Sequence, residues 1–230
     1  MGLMDNHQSE ENKFIPYKHN VQDEEETLSR SEAFYKFMNT RRSVRHFSNK
    51  AIPKRVIDNI LKTASTAPSG ANKQPWTFCV VSSKQLKKEV RILAEIEEKE
   101  SYSNRMSEEW LEDLAPLGTD WHKGFIESAP WVIIVMKRVY ELGPDESRQK
   151  NYYVNESVGI ACGILIAAIH NAGLCTVTHT PSPMHFLTKA LGRPDNERAF
   201  LLLPVGYPSK AAKVPDIDRK GLTDVAVYYE

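Results

Sequence analysis

Apolar positions along this chain fall into two rhythms, a three-to-four spacing and short continuous runs, and the switches between them mark out the elements. The first helical rhythm starts at Ser31, where Phe34, Phe37 and Met38 recur at three and four. Residues 41–47 read as a short basic turn. Pro53 then opens a second helix with Val56, Ile57, Ile60, Leu61 and Ala64 on one face. A breaker cluster, Thr66, Ala67, Pro68, Ser69 and Gly70, ends that helix. Residues 76–81 are β-branched and aromatic and predict a buried strand. A long charged helical pattern covers 86–114, interrupted between Ser101 and Ser107. Residues 130–136 predict another apolar strand, and 155–170 a helix with Gly159, Gly163 and Ala167 four apart. Small residues at that spacing admit a close backbone neighbour, inside the chain or in another subunit. Residues 175–178 and 200–205 predict two further strands. The tail after Tyr207 ends in the strand-like stretch 225–229.

Short strands separated by long helical connections predict an α+β domain. Residues 1–30, polar and acidic, are expected to be a flexible lead before a domain spanning 31–230. At 230 residues, with 41% hydrophobic and 26% charged side chains, the chain is long enough for a substantial core. Thirty basic and thirty acidic side chains cancel. That argues against bulk attraction to nucleic acid or to an anionic membrane. Cys79, Cys162 and Cys175 each sit beside apolar residues and form no CxxC pair. They are expected to be buried reduced thiols, which suits a reducing, cytoplasmic compartment. The histidines show no metal-ligand spacing, and no metal site is expected. No basic-then-apolar leader opens the chain, and Asn6 stands where a myristoylation motif wants Ser or Thr. The longest apolar run, 158–169, is shorter than the roughly 20 residues a membrane span needs. A soluble protein with no membrane partner is expected.

Candidate chemistry lies in three segments. Arg41, Arg42, Ser43 and Arg45 put three guanidiniums and a hydroxyl within five residues, a compact anion receptor. Taken alone, the segment reads more readily as a solvated basic turn. Pro68, Ser69, Gly70 and Ala71 lie in an irregular helix-to-strand loop, able to bring backbone donors against a planar ligand. Neither GxGxxG nor GxxxxGK[ST] occurs. Glu98 and Tyr102, four apart, share one helical face, with Lys123 further on. Spacing alone leaves these as a solvated charged helix or as a carboxylate, phenol and amine set.

In one order, the RRSVR segment, a helix, and APSGAxxxPW before a strand resemble the nitroreductase superfamily of FMN proteins. More narrowly, residues 66–78, 176–181 and 203–209 resemble the iodotyrosine deiodinases, and the match is collinear from about Arg41 to Arg219. The resemblance implies a nitroreductase-like α+β fold, with a central mixed or antiparallel sheet flanked by helices. It further implies a domain-swapped homodimer with FMN at the subunit interface. Arg41, Arg42, Ser43 and Arg45 would hold the flavin phosphate and ring edge. Pro68, Ser69 and Gly70 would line the ring, Thr178, His179 and Thr180 would pass its other side, and Arg219 would reach the phosphate from a C-terminal extension over 207–230. Thr180 would be the catalytic residue, its hydroxyl near flavin N5, favouring one-electron steps. Ala71 would bind the substrate phenolate through its amide, while Glu98, Tyr102 and Lys123, in a lid over about 88–122, would clamp the amino-acid end. His179 stands where vertebrate members resemble Thr, and Asn72, Lys73 and Gln74 also depart from their pattern. The activity implied is reductive dehalogenation of halotyrosines, iodotyrosine giving tyrosine and iodide. Electrons would come from NAD(P)H directly or through a separate flavin reductase. A broad nitroaromatic or quinone reductase, and a non-catalytic flavin or halotyrosine binder, are the alternatives.

Overall fold

The computed structural model describes residues 14–230, so the start of the expected lead lies outside the described residues. The chain divides into two compact units, one ending at Asn39 and the other spanning Thr40–Glu230. In the first, helix α1 (Glu24–Asn39) begins well ahead of the expected Ser31. Asp23 caps it: its Oδ1 accepts from Glu26 N at 2.8 Å and its carbonyl from Thr27 N at 3.0 Å. The acidic run of the expected lead is therefore a first helical turn, where the helix dipole favours negative charge.

The second unit is built on a four-stranded antiparallel sheet. Its strands are β1 (Trp76–Val81), β2 (Trp131–Arg138), β5 (Cys175–Thr176) and β6 (Glu197–Gly206), in the order β1-β2-β6-β5. A short hairpin, β3 (Tyr140–Leu142) and β4 (Arg148–Lys150), follows β2. Successive residues of β2 point to opposite faces, and both faces are covered. Ile133 and Val135 pack with Ile57 and Ile60 of α2 (Lys54–Ala64) and with Leu165 of α6 (Val154–Asn171). Val132, Ile134 and Met136 pack with Val90 and Ala94 of α3 (Lys84–Glu100), Ile126 of α5 (Phe125–Ser128) and Leu187 of α7 (His185–Ala190). A sheet buried on both faces needs a continuous apolar run, and this is why β2 shows no alternation. Each such side chain contributes roughly 1.5–3 kcal/mol of burial.

The chain between α3 and α5 is an excursion over one end of this sandwich. A π-helical turn at Ser101–Arg105, closed by Met106 N on Ser101 O at 2.9 Å, leads to α4 (Glu108–Leu114). Helix α6 is long and apolar enough to cross a membrane by length and composition. Here its Val158, Ala161, Leu165 and Ile169 are fully buried in the core, the position of a central core helix.

Four expectations need correction. Residues 41–47 are not a turn but an extended segment on the sheet edge, bridged at Ser43 to Thr176 in parallel and at Phe47 to Pro208. The strand expected over 175–178 is only Cys175–Thr176, with a further bridge from His179 to Leu202. The stretch 225–229 forms no strand: α8 (Leu222–Val225) takes its start, and Val227, Tyr228 and Tyr229 are exposed with no ladder partner among the described residues. Finally, a lid beginning at 88 starts too early, because Val90 and Ala94 belong to the core.

Candidate functional site

The extended segment at 41–48 is pinned by its backbone, Val44 N donating to Thr176 O at 3.0 Å and Ser48 N to Tyr207 O at 2.8 Å. The C-terminal tail returns across it. Arg219 Nη2 donates to Arg41 O at 2.7 Å, and an Arg42 guanidinium nitrogen donates to Pro215 O. Between them is a cavity of about 200 Å³ lined by Arg41, Arg42, Ser43, Arg45 and Arg219, together with Leu117, Pro215, Ile217 and Asp218. Burial lowers the Arg41 pKa, and the Arg219 and Arg42 charges lower it further. Burial also lowers that of Arg45, against a raising influence from Tyr102. Mutually repelling, partly desolvated guanidiniums of this kind suit a multiply charged anion such as phosphate.

Next to it the α3–α5 excursion assembles the second cluster. Glu95 Oε1 accepts from Lys123 N at 2.9 Å and so brings the loop before α5 against α3. Lys123 Nζ lies 3.1 Å from Glu98 Oε2, donates to Asp120 O, and stands 5.4 Å above the Tyr102 ring. The Glu98 and Lys123 side chains keep only 10% and 5% of their exposure. Burial raises the Tyr102 pKa, a hydrogen bond with Thr119 opposes the shift, and the Glu98 charge adds to it. Ser101 Oγ and Arg105 Nη1 donate to Ser182 O at 3.4 and 2.8 Å, tying the π-turn to the segment after β5. In that segment Thr178 and Thr180 are exposed while His179 points inward. Its peptide exchanges two hydrogen bonds with Leu202, N to O at 2.9 Å and O from N at 3.0 Å. Its ring Nδ1 lies 3.8 Å from Glu98 Oε1.

The loop holding Pro68, Ser69, Gly70 and Ala71 stands apart. Ala71, Asn72 and Gln74 have φ of 48°, 53° and 46°, a strained run for residues with a Cβ. Ser69 Oγ accepts from Gln74 N at 2.8 Å and stabilises it. Gly70 N donates to Ser157 Oγ at 3.2 Å, and a Cβ at Gly70 would come within 2.8 Å of the Tyr153 ring. This loop therefore sits at the N-terminal end of α6. The arginine segment sits at the other end, where Thr40 Oγ1 meets His170 Nε2 at 3.0 Å. Thirteen residues of helix separate Ser157 from His170, about 20 Å at 1.5 Å per residue. Between those ends α6 exposes Gly159, Ile160 and Gly163, and a Cβ at either glycine would meet nothing within 4 Å.

One chain thus gathers Arg41, Arg42, Ser43, Arg45 and Arg219 in one cavity and Glu98, Tyr102, Lys123 and His179 in an adjoining cluster. It leaves Pro68, Ser69, Gly70 and Ala71 a helix length away. A larger groove, about 780 Å³, runs along α3 and contains none of the sequence-predicted residues. Its Arg91 is matched by Glu95 and Glu127, and its Lys87 by the carbonyls of Glu127 and Ala129. Glu95, Thr119 and the inward side chain of His179 are site residues that the sequence did not single out. For Glu95 the signal was its place one turn before Glu98.

The nitroreductase family model matches residues 38–207. An iodotyrosine deiodinase of Haliscomenobacter hydrossis is 62% identical over 216 residues, covering 94% of this chain and 97% of that protein. The human iodotyrosine deiodinase 1 is 47% identical over 96% of this chain and 77% of its own length. A crystal structure of oxidised iodotyrosine deiodinase bound to FMN and 3-iodo-L-tyrosine superposes with a TM-score of 0.73 at 32% identity, covering 86% of this chain and 98% of that one.

Proposed function

Since the chain belongs to the nitroreductase family and, within it, to the iodotyrosine deiodinases, we propose that it uses FMN to convert iodotyrosine to tyrosine and iodide. The observation that carries this reading is the buried Glu98–Lys123 pair under Tyr102, set beside a cationic cavity. A general nitroaromatic or quinone reductase has no use for a desolvated carboxylate and ammonium; a zwitterion does.

The donor set fits FMN: Arg41, Arg42, Ser43, Arg45 and Arg219 would hold its phosphate and ring edge. Thr178 and Thr180 lie exposed on either side of the inward His179, and the Thr180 hydroxyl would be the group that hydrogen-bonds the flavin ring, as the resemblance implies. The separation along α6 favours Pro68, Ser69, Gly70 and Ala71 reaching the same site from a second copy. Two α6 helices packed antiparallel on their Gly159 and Gly163 faces would bring the N-terminal end of one to the C-terminal end of the other. The reading therefore includes a homodimer with two shared sites.

The clamp would work by ion exchange. In the free protein Glu98 and Lys123 neutralise each other at 3.1 Å. An amino acid whose ammonium and carboxylate enter together gives the ammonium to Glu98 and the carboxylate to Lys123, so its amino-acid end buries no net charge. A simple phenol brings no charges to replace either partner, so it gains nothing from this exchange. Tyr102 closes over the amino-acid end, and the second copy's Ala71 amide would take the phenolate. Water is excluded and the halogen-bearing carbon is fixed in place. FMN, when bound there and reduced, would supply the two electrons that, with one proton, replace the carbon–iodine bond by carbon–hydrogen and release iodide. Reducing equivalents would come from NAD(P)H, directly or through a separate flavin reductase. We place the protein, with its three unpaired thiols, in a reducing cytoplasm.

The test is anaerobic reduction of the purified flavoprotein followed by one equivalent of iodotyrosine. Flavin reoxidation with stoichiometric iodide and tyrosine is the expected result. Silence toward iodotyrosine with immediate oxidation by a quinone would overturn the reading.

A further inference from the structure

His179 is anchored to the core. Both of its peptide groups bond to Leu202, which is fully buried in β6. Its ring is 7% exposed, meets Phe125 edge-on at 5.7 Å, and has a buried Nε2 with no hydrogen-bond partner. Its Nδ1 faces Glu98 Oε1 at 3.8 Å, while Lys123 holds the other oxygen, Oε2, at 3.1 Å. The two oxygens of one carboxylate thus have unlike neighbours. One neighbour, His179, is anchored to the sheet; the other, the Lys123 ammonium of the loop before α5, is the one that a ligand ammonium would replace.

We infer that His179 is a positioning residue of the amino-acid clamp, its imidazole steadying Glu98 Oε1 from the sheet side while Oε2 exchanges the Lys123 ammonium for that of the substrate. The inference rests on the halotyrosine reading and adds a residue to it. Without a fixed neighbour, a carboxylate released by Lys123 would be free to rotate toward water before the ligand ammonium arrived. The chemistry also requires an uncharged ring, because an imidazolium would compete with the ligand ammonium for Glu98. Burial, and then the Lys123 charge, lower the His179 pKa to about 3, which keeps the ring neutral at working pH. The facing carboxylate selects the tautomer with its proton on Nδ1. At 3.8 Å the contact is longer than a hydrogen bond, and such contacts shorten when the ligand complex forms.

The experiment measures dissociation constants on the holoenzyme for 3-iodotyrosine and for its deamino analogue, the corresponding iodophenyl propionate. The variants are His179→Leu, His179→Asn, Glu98→Gln and the double variant His179→Leu/Glu98→Gln. Asn keeps a donor where Nδ1 stands; Leu does not. Expected is a loss of roughly tenfold in iodotyrosine affinity for His179→Leu, the lower end of a contact to a charged group. The deamino analogue and the FMN content should stay unchanged. His179→Asn should recover most of the loss, and His179→Leu should add nothing once Glu98 is Gln. Equal weakening of both ligands, loss of FMN, or additivity with Glu98→Gln would overturn the inference. A wild-type protein that binds the deamino analogue as tightly as iodotyrosine would instead overturn the amino-acid reading itself, a result visible before any variant is made.

Discussion

Breaking the Glu98–Lys123 pair should have opposite consequences for stability and for binding when the second charge is also removed. Lys123→Met leaves a buried carboxylate facing a neutral imidazole, and Glu98→Gln leaves a buried ammonium with a single carbonyl partner. Removing one member of a buried pair costs about 3–5 kcal/mol when the other stays buried. Part of that is avoided here, because the 101–123 excursion can open and hydrate the orphan, so each single variant should lose about 2–3 kcal/mol. The double variant replaces both charges by neutral groups of similar shape, and should return to within about 1 kcal/mol of the parent. Halotyrosine affinity should behave differently. Each single variant removes one charge-assisted contact worth about 1.5–3 kcal/mol, and the double removes both. Urea unfolding without substrate and a binding titration of the same four proteins complete the two cycles. A double variant whose stability loss equals the sum of the two single losses would mean that the two charges do not pair in the free protein, and ion exchange would have to be abandoned.

Other consequences can be checked independently. Arg219→Ala should weaken FMN about tenfold while leaving riboflavin binding unchanged, since only the phosphate is lost as a partner; equal effects on both would remove Arg219 from the phosphate site. Gly163→Arg has open space in a single chain, so it should fold, sediment as a monomer and lose FMN; a flavin-loaded dimer would exclude α6 as the shared face. The His179 pKa of about 3 lies below its unfolded value, so the native ring stays neutral while the unfolded one gains a proton. Stability is therefore lost as pH falls from about 6.5 toward 3, by about 1.4 kcal/mol per unit, with Glu98 and Lys123 the charges facing the ring; His179→Asn should flatten the parent's slope between pH 6.5 and 5 by one proton in urea titrations. Of the three thiols expected to be buried only Cys162 is, Cys79 and Cys175 being half-buried. Desolvation pushes Cys162 up to about 12 and Cys175 up to about 11; both should resist iodoacetamide at pH 8 until the protein is unfolded, and rapid native labelling of either would contradict the raised pKa.

What could be read in advance was whatever a local pattern encodes. The sheet's central strands were legible because burial on both faces leaves an unbroken apolar run, as at 131–136. The arginine-lined cavity was legible because four of its lining residues are near neighbours in sequence. The inward turn of His179 is also legible, since extended backbone alternates and places it on the same side as the apolar Val177, with Thr178 and Thr180 on the exposed side. Illegible was whatever depends on closure across the fold. Glu98 and Tyr102 share a face by spacing, but nothing in the spacing brings in Lys123, which only the resemblance pointed to; in the fold Glu95 accepts from its amide and Glu98 pairs with its ammonium. The stretch 225–229 has the side chains of a strand, and propensity does not supply the neighbouring edge that a ladder needs.

The loop at 68–71 is the most instructive case, because its motif and its position disagree within one chain. The motif associates it with the flavin that Arg41, Arg42 and Arg45 would hold, yet α6 keeps the two about 20 Å apart. Bringing the loop to the arginines inside one chain would require unfolding a helix whose Val158, Ala161, Leu165 and Ile169 are fully buried, at roughly 2–5 kcal/mol for each large side chain removed from the core. A second copy offers the same loop without breaking a contact, through an α6 face that already presents Gly159 and Gly163 to open space. Given the resemblance that ties both segments to one flavin, the length of one core helix is therefore the strongest structural reason for proposing a site shared by two chains.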